Sequence, residues 1–175
     1  RRMRFLERHR RHHAQRRVPA ARIVEALDER ERRHARVGLR LEPAARQQLA
    51  AGYRIFALLG WTEMIYNHIT VRLPESVAGG DRQFLINPFG LMFHEITASS
   101  LVKVDLAGKK LMDSPFDINP AGYTIHSAVH MARDDAHCVI HTHTLAGMAV
   151  AAQDAGLLQL NQISTEFHQR LGYHA

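Results

Sequence analysis

The segment from residue 119 to residue 151 constrains the fold most, because three secondary-structure signals follow one another in it. Asn119 is a good N-cap and Pro120 fits the first helical position, so a helix is predicted to begin there. HCVIHTH then predicts a short strand, and LAGMAVAAQDAG predicts a second helix that Gly156 ends. A helix, a strand and a helix in this order favour an α/β fold. Four apolar residues of the first helix are predicted to face the core: Ala121, Ile125, Ala128 and Ala132.

The part of the chain before this unit predicts a helix followed by short strands. Apolar residues recur at spacings of three and four after Pro43, as an amphipathic helix requires: Leu49, Tyr53, Phe56 and Leu59 or Gly60. NHITVRL and QFLINP read as strands, so 66–87 is predicted to be a hairpin with Ile69 and Val71 on one face. SLVKVDLAGKKL predicts two more short strands, and LLQLNQIS a further extended piece. Together these elements predict an α/β sandwich with a central mixed sheet.

The basic charge of the chain is confined to its N-terminal part. The net charge is +6, but residues 1–46 contain 15 arginines and 6 acidic residues, whereas residues 47–175 contain 8 basic and 11 acidic residues. We therefore predict an arginine-rich extension at 1–42, disordered or helical, and a folded domain at 43–175. The arginine-rich segment could instead be an arm that binds nucleic acid or an acidic partner, but its low apolar and aromatic content favours a plain extension, so a nucleic-acid partner is not expected.

The composition indicates a soluble protein of the cytoplasm. The 175 residues are 46% hydrophobic and 23% charged, which is ordinary for a globular domain. Cys138 is the one cysteine, so no internal disulfide is expected and a reducing compartment fits. No stretch approaches the roughly 18 apolar residues of a membrane helix, and no signal peptide is recognisable.

Two histidines at the end of an apolar strand are the strongest chemical signal. His141 and His143 are two residues apart, so on a strand both imidazoles lie on the same face. They either bind a metal such as zinc, for which imidazole is a common ligand, or are satisfied by packing and hydrogen bonds. A catalytic metal usually takes three protein ligands, and candidates for the third are His126, His130, His168 and His174. HSAVH lacks the glutamate of a zinc-protease helix and favours a partly buried polar face.

Several segments in order resemble the class II aldolase/adducin family, especially its bacterial adducin-like branch. They are GWTEMIYNHITVRLP, FLINPFGLMFHEITASSLVKVDL, NPAGYTIHSAVHMARDDAHCVIHTHTLAGMAV and GLLQLNQ, and they cover roughly Leu49 to His174. The resemblance implies a three-layer α/β/α fold and a ring-like homotetramer. It also implies a zinc or similar divalent ion held by a His-x-His pair, which His141 and His143 match, and by a third histidine. That third histidine belongs to an NHG-like segment expected beyond Ala175, so the domain is expected to be truncated.

The resemblance also indicates which residues meet the substrate. It implies substrate contacts at His68, Asn87 and Gly90. The sugar-phosphate aldolases of the family carry their acid/base glutamate where this chain has Gly122. Their phosphate loops carry hydroxyl side chains at three positions that are apolar here, namely Phe89, Pro120 and Ala121. A phosphorylated sugar is therefore not expected, and the catalytic base is left open among His68, Tyr66, Glu63 and Glu166.

The sequence thus favours a metal-dependent lyase that acts on a small hydroxy-carbonyl compound. Such an enzyme would use the metal as a Lewis acid to stabilise an enediolate during aldol cleavage or decarboxylation. The alternative is a non-catalytic scaffold, because adducins share this domain and act in the cytoskeleton.

Overall fold

The computed structural model describes residues 40–78 and 81–173, so residues 1–39 of the predicted extension lie outside the described residues. Helix α1 covers 40–58 and therefore includes three residues before the predicted boundary at 43. The remaining elements, in chain order, are β1 (His68–Arg72), α2 (Glu75–Ala78), β2 (Gln83–Ile86), a 3-10 turn (Phe93–Glu95), β3 (Val102–Asp105), α3 (Pro120–Ala132), β4 (Cys138–His141), α4 (Leu145–Ala151) and α5 (Gln162–Thr165).

The four strands form one sheet in the order β3-β2-β1-β4. The predicted hairpin is confirmed, since β1 pairs antiparallel with β2, and β2 pairs likewise with β3. β4 also runs antiparallel to β1, with His68 opposite His141. The prediction of a mixed sheet is therefore wrong for the described strands.

The reason for the antiparallel pairing lies in the return segment 106–119. Two isolated antiparallel bridges, Val104 to Lys110 and Pro88 to Ile118, hold this segment as it runs back along the sheet. α3 then crosses in one direction and β4 comes back in the other. A strand–helix–strand unit without such a return segment would have made β4 parallel to β3, and therefore also to its neighbour β1.

The two faces of the sheet carry two separate apolar clusters. On one face, residues of α1 pack with β1 and β2: Leu49, Ala50, Tyr53, Ile69, Leu73 and Leu85. On the other face, Phe84, Ile86, Val102 and Val104 pack beneath Tyr123 of α3. Successive strand residues point to opposite faces, which explains why Leu85 belongs to the first cluster whereas Phe84 and Ile86 belong to the second. Helices on both faces confirm the predicted three-layer α/β/α arrangement.

The predicted inward stripe of α3 is wrong. Its members Ala121, Ile125, Ala128 and Ala132 are all exposed. The buried residues of the helix are Gly122, His126, Ser127 and His130. The sheet beneath α3 presents polar side chains at His68 and Thr70, so imidazoles find hydrogen-bond partners there that methyl groups would not.

Two shorter predictions are corrected in part. The strand in HCVIHTH ends at His141, so His143 lies beyond it. Part of LLQLNQIS is helical rather than extended, because Asn161 caps α5 by accepting a hydrogen bond from the backbone N–H of Ser164. None of the helices within 40–78 and 81–173 is long and apolar enough to cross a membrane.

Candidate functional site

The structure brings the predicted histidine pair together. The Nε2 atoms of His141 and His143 are 3.2 Å apart. A tetrahedral zinc ion with bonds of about 2.0–2.1 Å holds its ligand nitrogens about 3.3–3.4 Å apart. The pair therefore fits two adjacent positions of a tetrahedral metal site.

The segment that carries His143 is held by the loop before β1. The backbone N–H of His143 donates to Oδ1 of the buried Asn67 at 3.0 Å. The Nδ2 group of Asn67 in turn donates to the Glu63 carbonyl at 2.8 Å. His143 thus keeps a fixed position although the strand has already ended.

Glu63 orients the ring of His143. Its Oε2 atom lies 2.6 Å from His143 Nδ1, close enough for a charge-assisted hydrogen bond. A carboxylate that accepts from one ring nitrogen leaves the lone pair of the other nitrogen free for a metal. Glu63, which the sequence offers as a possible base, is thus placed as an orienting group for His143.

His68 lies directly behind the pair. The strand register puts it opposite His141, and the two rings meet at their edges, with planes within 17° of each other and Nδ1 atoms 3.4 Å apart. Its other nitrogen, Nε2, is 3.1 Å from Nδ2 of Asn119. Asn119 also accepts from the backbone N–H of Ala121, which confirms it as the N-cap of α3. One side chain therefore joins the start of α3 to the histidine cluster.

Gly122 is required by the position of His68. A Cβ atom at residue 122 would lie 2.5 Å from Cδ2 and 2.6 Å from Nε2 of the His68 ring. The imidazole therefore fills the space next to the helix into which a side chain at residue 122 would project.

A second imidazole cluster lies buried under α3. Thr70 Oγ1 is 2.9 Å from His126 Nδ1 and 2.8 Å from His130 Nε2. His130 Nδ1 must donate to the Ala136 carbonyl at 3.0 Å, so in the neutral ring His130 Nε2 accepts from the Thr70 hydroxyl. Thr70 then accepts from His126 Nδ1–H, which leaves His126 Nε2 without a proton. That atom is buried and has no hydrogen-bond partner among the described residues.

Burial favours the neutral form of His68, His126 and His141. Desolvation, followed by positive charge on His141 and His143, lowers the pKa of His68 to about 4. Desolvation also lowers the pKa of His126 to about 3, with smaller contributions from His68, His141 and His130. The pKa of His141 is lowered by burial and then by His143. Neutral imidazole is the form that binds a metal.

The other predicted substrate contacts lie apart from the pair. Asn87 is buried on the α1 side of the sheet, where its Oδ1 is 3.0 Å from the Tyr53 hydroxyl. Gly90 has a φ of +89° in an exposed turn, a conformation that favours glycine. The bridge between Pro88 and Ile118 places this turn next to the segment that leads to Asn119.

The remaining candidates do not complete a metal site within the described ranges. No group of three or more His, Cys, Asp or Glu residues in 40–78 and 81–173 is arranged to hold a metal ion. His126 and His130 belong to the Thr70 cluster, and His168 is exposed after α5, as is the candidate base Glu166. The candidate base Tyr66 is also exposed, and His174 lies outside the described residues. The contacts made by Thr70 and Asn67, and the contact of Asn119 with His68, were not predicted, although polar residues inside apolar segments were a usable signal.

Comparison with known proteins gives a family match over most of the chain. Residues 47–175 match the class II aldolase and adducin N-terminal domain. A Pseudomonas aeruginosa protein provisionally named as a class 2 aldolase is 62% identical over 130 residues, which are 74% of this chain and 48% of that protein. Alpha-adducin of Mus musculus is 50% identical over 123 residues, 69% of this chain and 16% of the adducin. The chain thus spans about half the length of the bacterial relative and far less of the adducin.

Solved structures give the same fold. An aldolase II superfamily protein from Pseudomonas syringae is 51% identical with a TM-score of 0.72, over 77% of this chain and 53% of that one. L-fuculose 1-phosphate aldolase from Glaciozyma antarctica is 33% identical with a TM-score of 0.66, over 73% of this chain and 51% of that one. These similarities confirm the predicted fold class.

Proposed function

Because this chain belongs to the class II aldolase and adducin family, we propose that it carries part of the active site of a divalent-metal-dependent lyase. The proposed metal is zinc or a similar transition ion. The proposed reaction is aldol cleavage or decarboxylation of a small hydroxy-carbonyl compound. The similarity to an L-fuculose 1-phosphate aldolase supports lyase chemistry, although this chain is 33% identical to that enzyme and covers 51% of it.

The convergence of two imidazole nitrogens carries the proposal. Nε2 of His141 and Nε2 of His143 are 3.2 Å apart, and Glu63 holds the far nitrogen of His143. When bound, a divalent ion supplies Lewis-acid polarisation of a substrate carbonyl. The described residues provide two donors, and we propose that the third comes from outside them.

The residues near the start of α3 favour a substrate without a phosphate. Phe89 and Pro120 carry no hydroxyl group, and α3 carries no carboxylate at Gly122. We propose that His68 contacts the substrate, since it lies beside His141. The substrate contacts at Asn87 and Gly90 stay predictions, because both residues lie apart from the pair. The base that moves the proton is then a group other than residue 122.

Removal of the paired histidines tests the proposal. In the intact protein, H141A/H143A is expected to lose both bound metal and turnover of hydroxy-carbonyl acids supplied with zinc or manganese. Metal content is measured by elemental analysis and turnover by an untargeted substrate screen. H168A, which changes an exposed histidine, is the matched control and should retain both. Undiminished metal content in the double variant would contradict the assignment.

Glu63 provides a second prediction. E63Q keeps the size of the side chain but removes the carboxylate that accepts from His143 Nδ1 at 2.6 Å. Loss of such an orienting partner typically weakens metal affinity about 10–100-fold. Competition with a chromophoric chelator measures the affinity, and E166Q, at an exposed glutamate, serves as the control. Equal affinities of E63Q and the unmodified protein would show that Glu63 does not orient the site.

The second candidate function is a non-catalytic scaffold. Alpha-adducin is 50% identical over the shared segment, and Gly122 removes the carboxylate expected of a sugar-phosphate aldolase. A protein that binds no metal and turns over no compound in the screen would favour this role. In either case we propose a cytoplasmic homotetramer. The exposed apolar side chains of Leu145, Leu160 and Ile163 support assembly.

A further inference from the structure

The amide of Asn119 has only one orientation that satisfies both of its contacts. The backbone N–H of Ala121 can only donate, so the atom that faces it at 3.0 Å must be Oδ1. The Nδ2 group therefore faces His68 Nε2 at 3.1 Å and donates to it. The capping of α3 thus fixes a hydrogen-bond donor against His68.

This donor determines which nitrogen carries the proton on each imidazole of the hydrogen-bonded series His68, His141 and His143. Neutral His68 accepts at Nε2 and so carries its proton on Nδ1, which faces Nδ1 of His141 at 3.4 Å. His141 then accepts at Nδ1 and carries its proton on Nε2, which faces Nε2 of His143 at 3.2 Å. His143 accepts at Nε2 and donates from Nδ1 to Glu63 at 2.6 Å.

The donor-to-acceptor direction of the hydrogen bonds in this series is fixed at both ends. The Asn119 amide nitrogen can only donate and the Glu63 carboxylate can only accept, so all four contacts are satisfied in one arrangement alone. In that arrangement Nε2 of His141 carries a proton, although it is one of the two atoms that converge. A cation between the two Nε2 atoms needs that nitrogen bare.

Bare Nε2 on neutral His141 requires two proton shifts and creates one conflict. The His141 proton moves from Nε2 to Nδ1, and the His68 proton moves from Nδ1 to Nε2. Neither ring gains or loses a proton overall. His68 Nε2–H would then point at the Asn119 NH₂ group, so two donors would face each other. Asn119 cannot turn its amide without losing the cap to Ala121.

We propose that Asn119 is a positioning residue that sets the proton positions on His68 and His141 and thereby lowers the affinity of the histidine pair for a divalent cation. The statement about affinity rests on the proposed function, whereas the statement about proton positions does not. The positions are a property of the metal-free protein.

Nitrogen NMR of the histidine rings tests the proton positions in the intact, metal-free protein at neutral pH. His68, assigned by comparison with H68Q, is expected to show a bare Nε2 and a protonated Nδ1. N119D keeps an oxygen for the helix cap and replaces the NH₂ group by an acceptor, so its His68 is expected to carry a proton on Nε2. A protonated Nε2 in the unmodified protein, or a bare one in N119D, would overturn the proposal.

Zinc affinity tests the consequence. N119D is expected to bind zinc about tenfold more tightly than the unmodified protein, and the uncharged capping variant N119S is expected to bind more tightly by a smaller factor. The same Asn119→Asp change in an H68Q background controls for the added charge, because without the His68 imidazole residue 119 no longer sets the proton position on His141. A gain that persists in H68Q, or no gain at all, would refute control through His68. If no variant binds zinc while the nitrogen signals behave as expected, the proposed metal site and the affinity statement fail together, and the proton arrangement stands.

Discussion

G122A is expected to destabilise the protein by about 2–3 kcal/mol, although glycine-to-alanine changes inside helices normally stabilise by about 1 kcal/mol. The added Cβ would lie 2.5–2.7 Å from three ring atoms of His68. That ring cannot retreat easily, because Asn119 holds one nitrogen and His141 contacts the other. Chemical denaturation measures the loss in the free energy of unfolding.

Two further variants separate the overlap with His68 from other effects of the substitution. Gly52 lies inside α1 with open space around its Cβ position, so G52A should be neutral or stabilising. The double variant H68A/G122A removes the ring, and its two changes should cost less together than the sum of the single changes. If the losses in the free energy of unfolding were strictly additive in this cycle, the His68 ring would not be the reason that residue 122 must be glycine.

The same overlap bears on the glutamate that the resemblance to sugar-phosphate aldolases leads one to expect at position 122. A glutamate at position 122 and the imidazole of His68 would compete for one volume. G122E is therefore expected to be at least as unstable as G122A. The absence of a side chain at Gly122 and the position of the His68 imidazole therefore depend on each other.

Local patterns predicted the parts of the site that depend on neighbouring residues. Asn119 with Pro120 predicts the start of α3, because a helix cap needs only the geometry of one helix. The spacing of His141 and His143 predicts that their rings lie together, although His143 lies beyond the strand and is held by Asn67. The contacts of His68 with Asn119 and of Thr70 with His126 span 51 and 56 residues. They depend on where α3 lies on the sheet, which no local pattern contains.

The error on α3 has the same origin. A hydrophobic stripe predicts the buried face when the opposing surface is apolar. Here the opposing surface carries Thr70 and His68, so the side of α3 with His126 and His130 is buried instead. The sheet direction was missed for a related reason, since the return segment 106–119 contains bridges rather than a full strand. The third metal ligand stays a prediction.

Acid is expected to unfold the protein through the buried cluster under α3. The pKa of His126 is lowered to about 3 in the folded protein, mainly by desolvation, from an ordinary value of 6.5. The pKa of His130 is also lowered, again mainly by desolvation. The folded state therefore binds fewer protons than the unfolded state between these values. The stabilisation is complete above pH 6.5 and is lost as the pH falls towards 3.

The expected slope is up to about 1.4 kcal/mol per pH unit for each of the two histidines. Protonation is costly because His126 Nε2–H would be a buried donor without a partner, and His130 Nε2–H would displace the hydrogen that Thr70 donates. Denaturation at a series of pH values between 7 and 4 measures the slope. H126Q should reduce it, although the variant is less stable at neutral pH, whereas H168Q, at an exposed histidine, should leave it unchanged. Parallel pH profiles for H126Q and the unmodified protein would show that the acid sensitivity arises elsewhere, because a residue that no longer titrates cannot contribute to it.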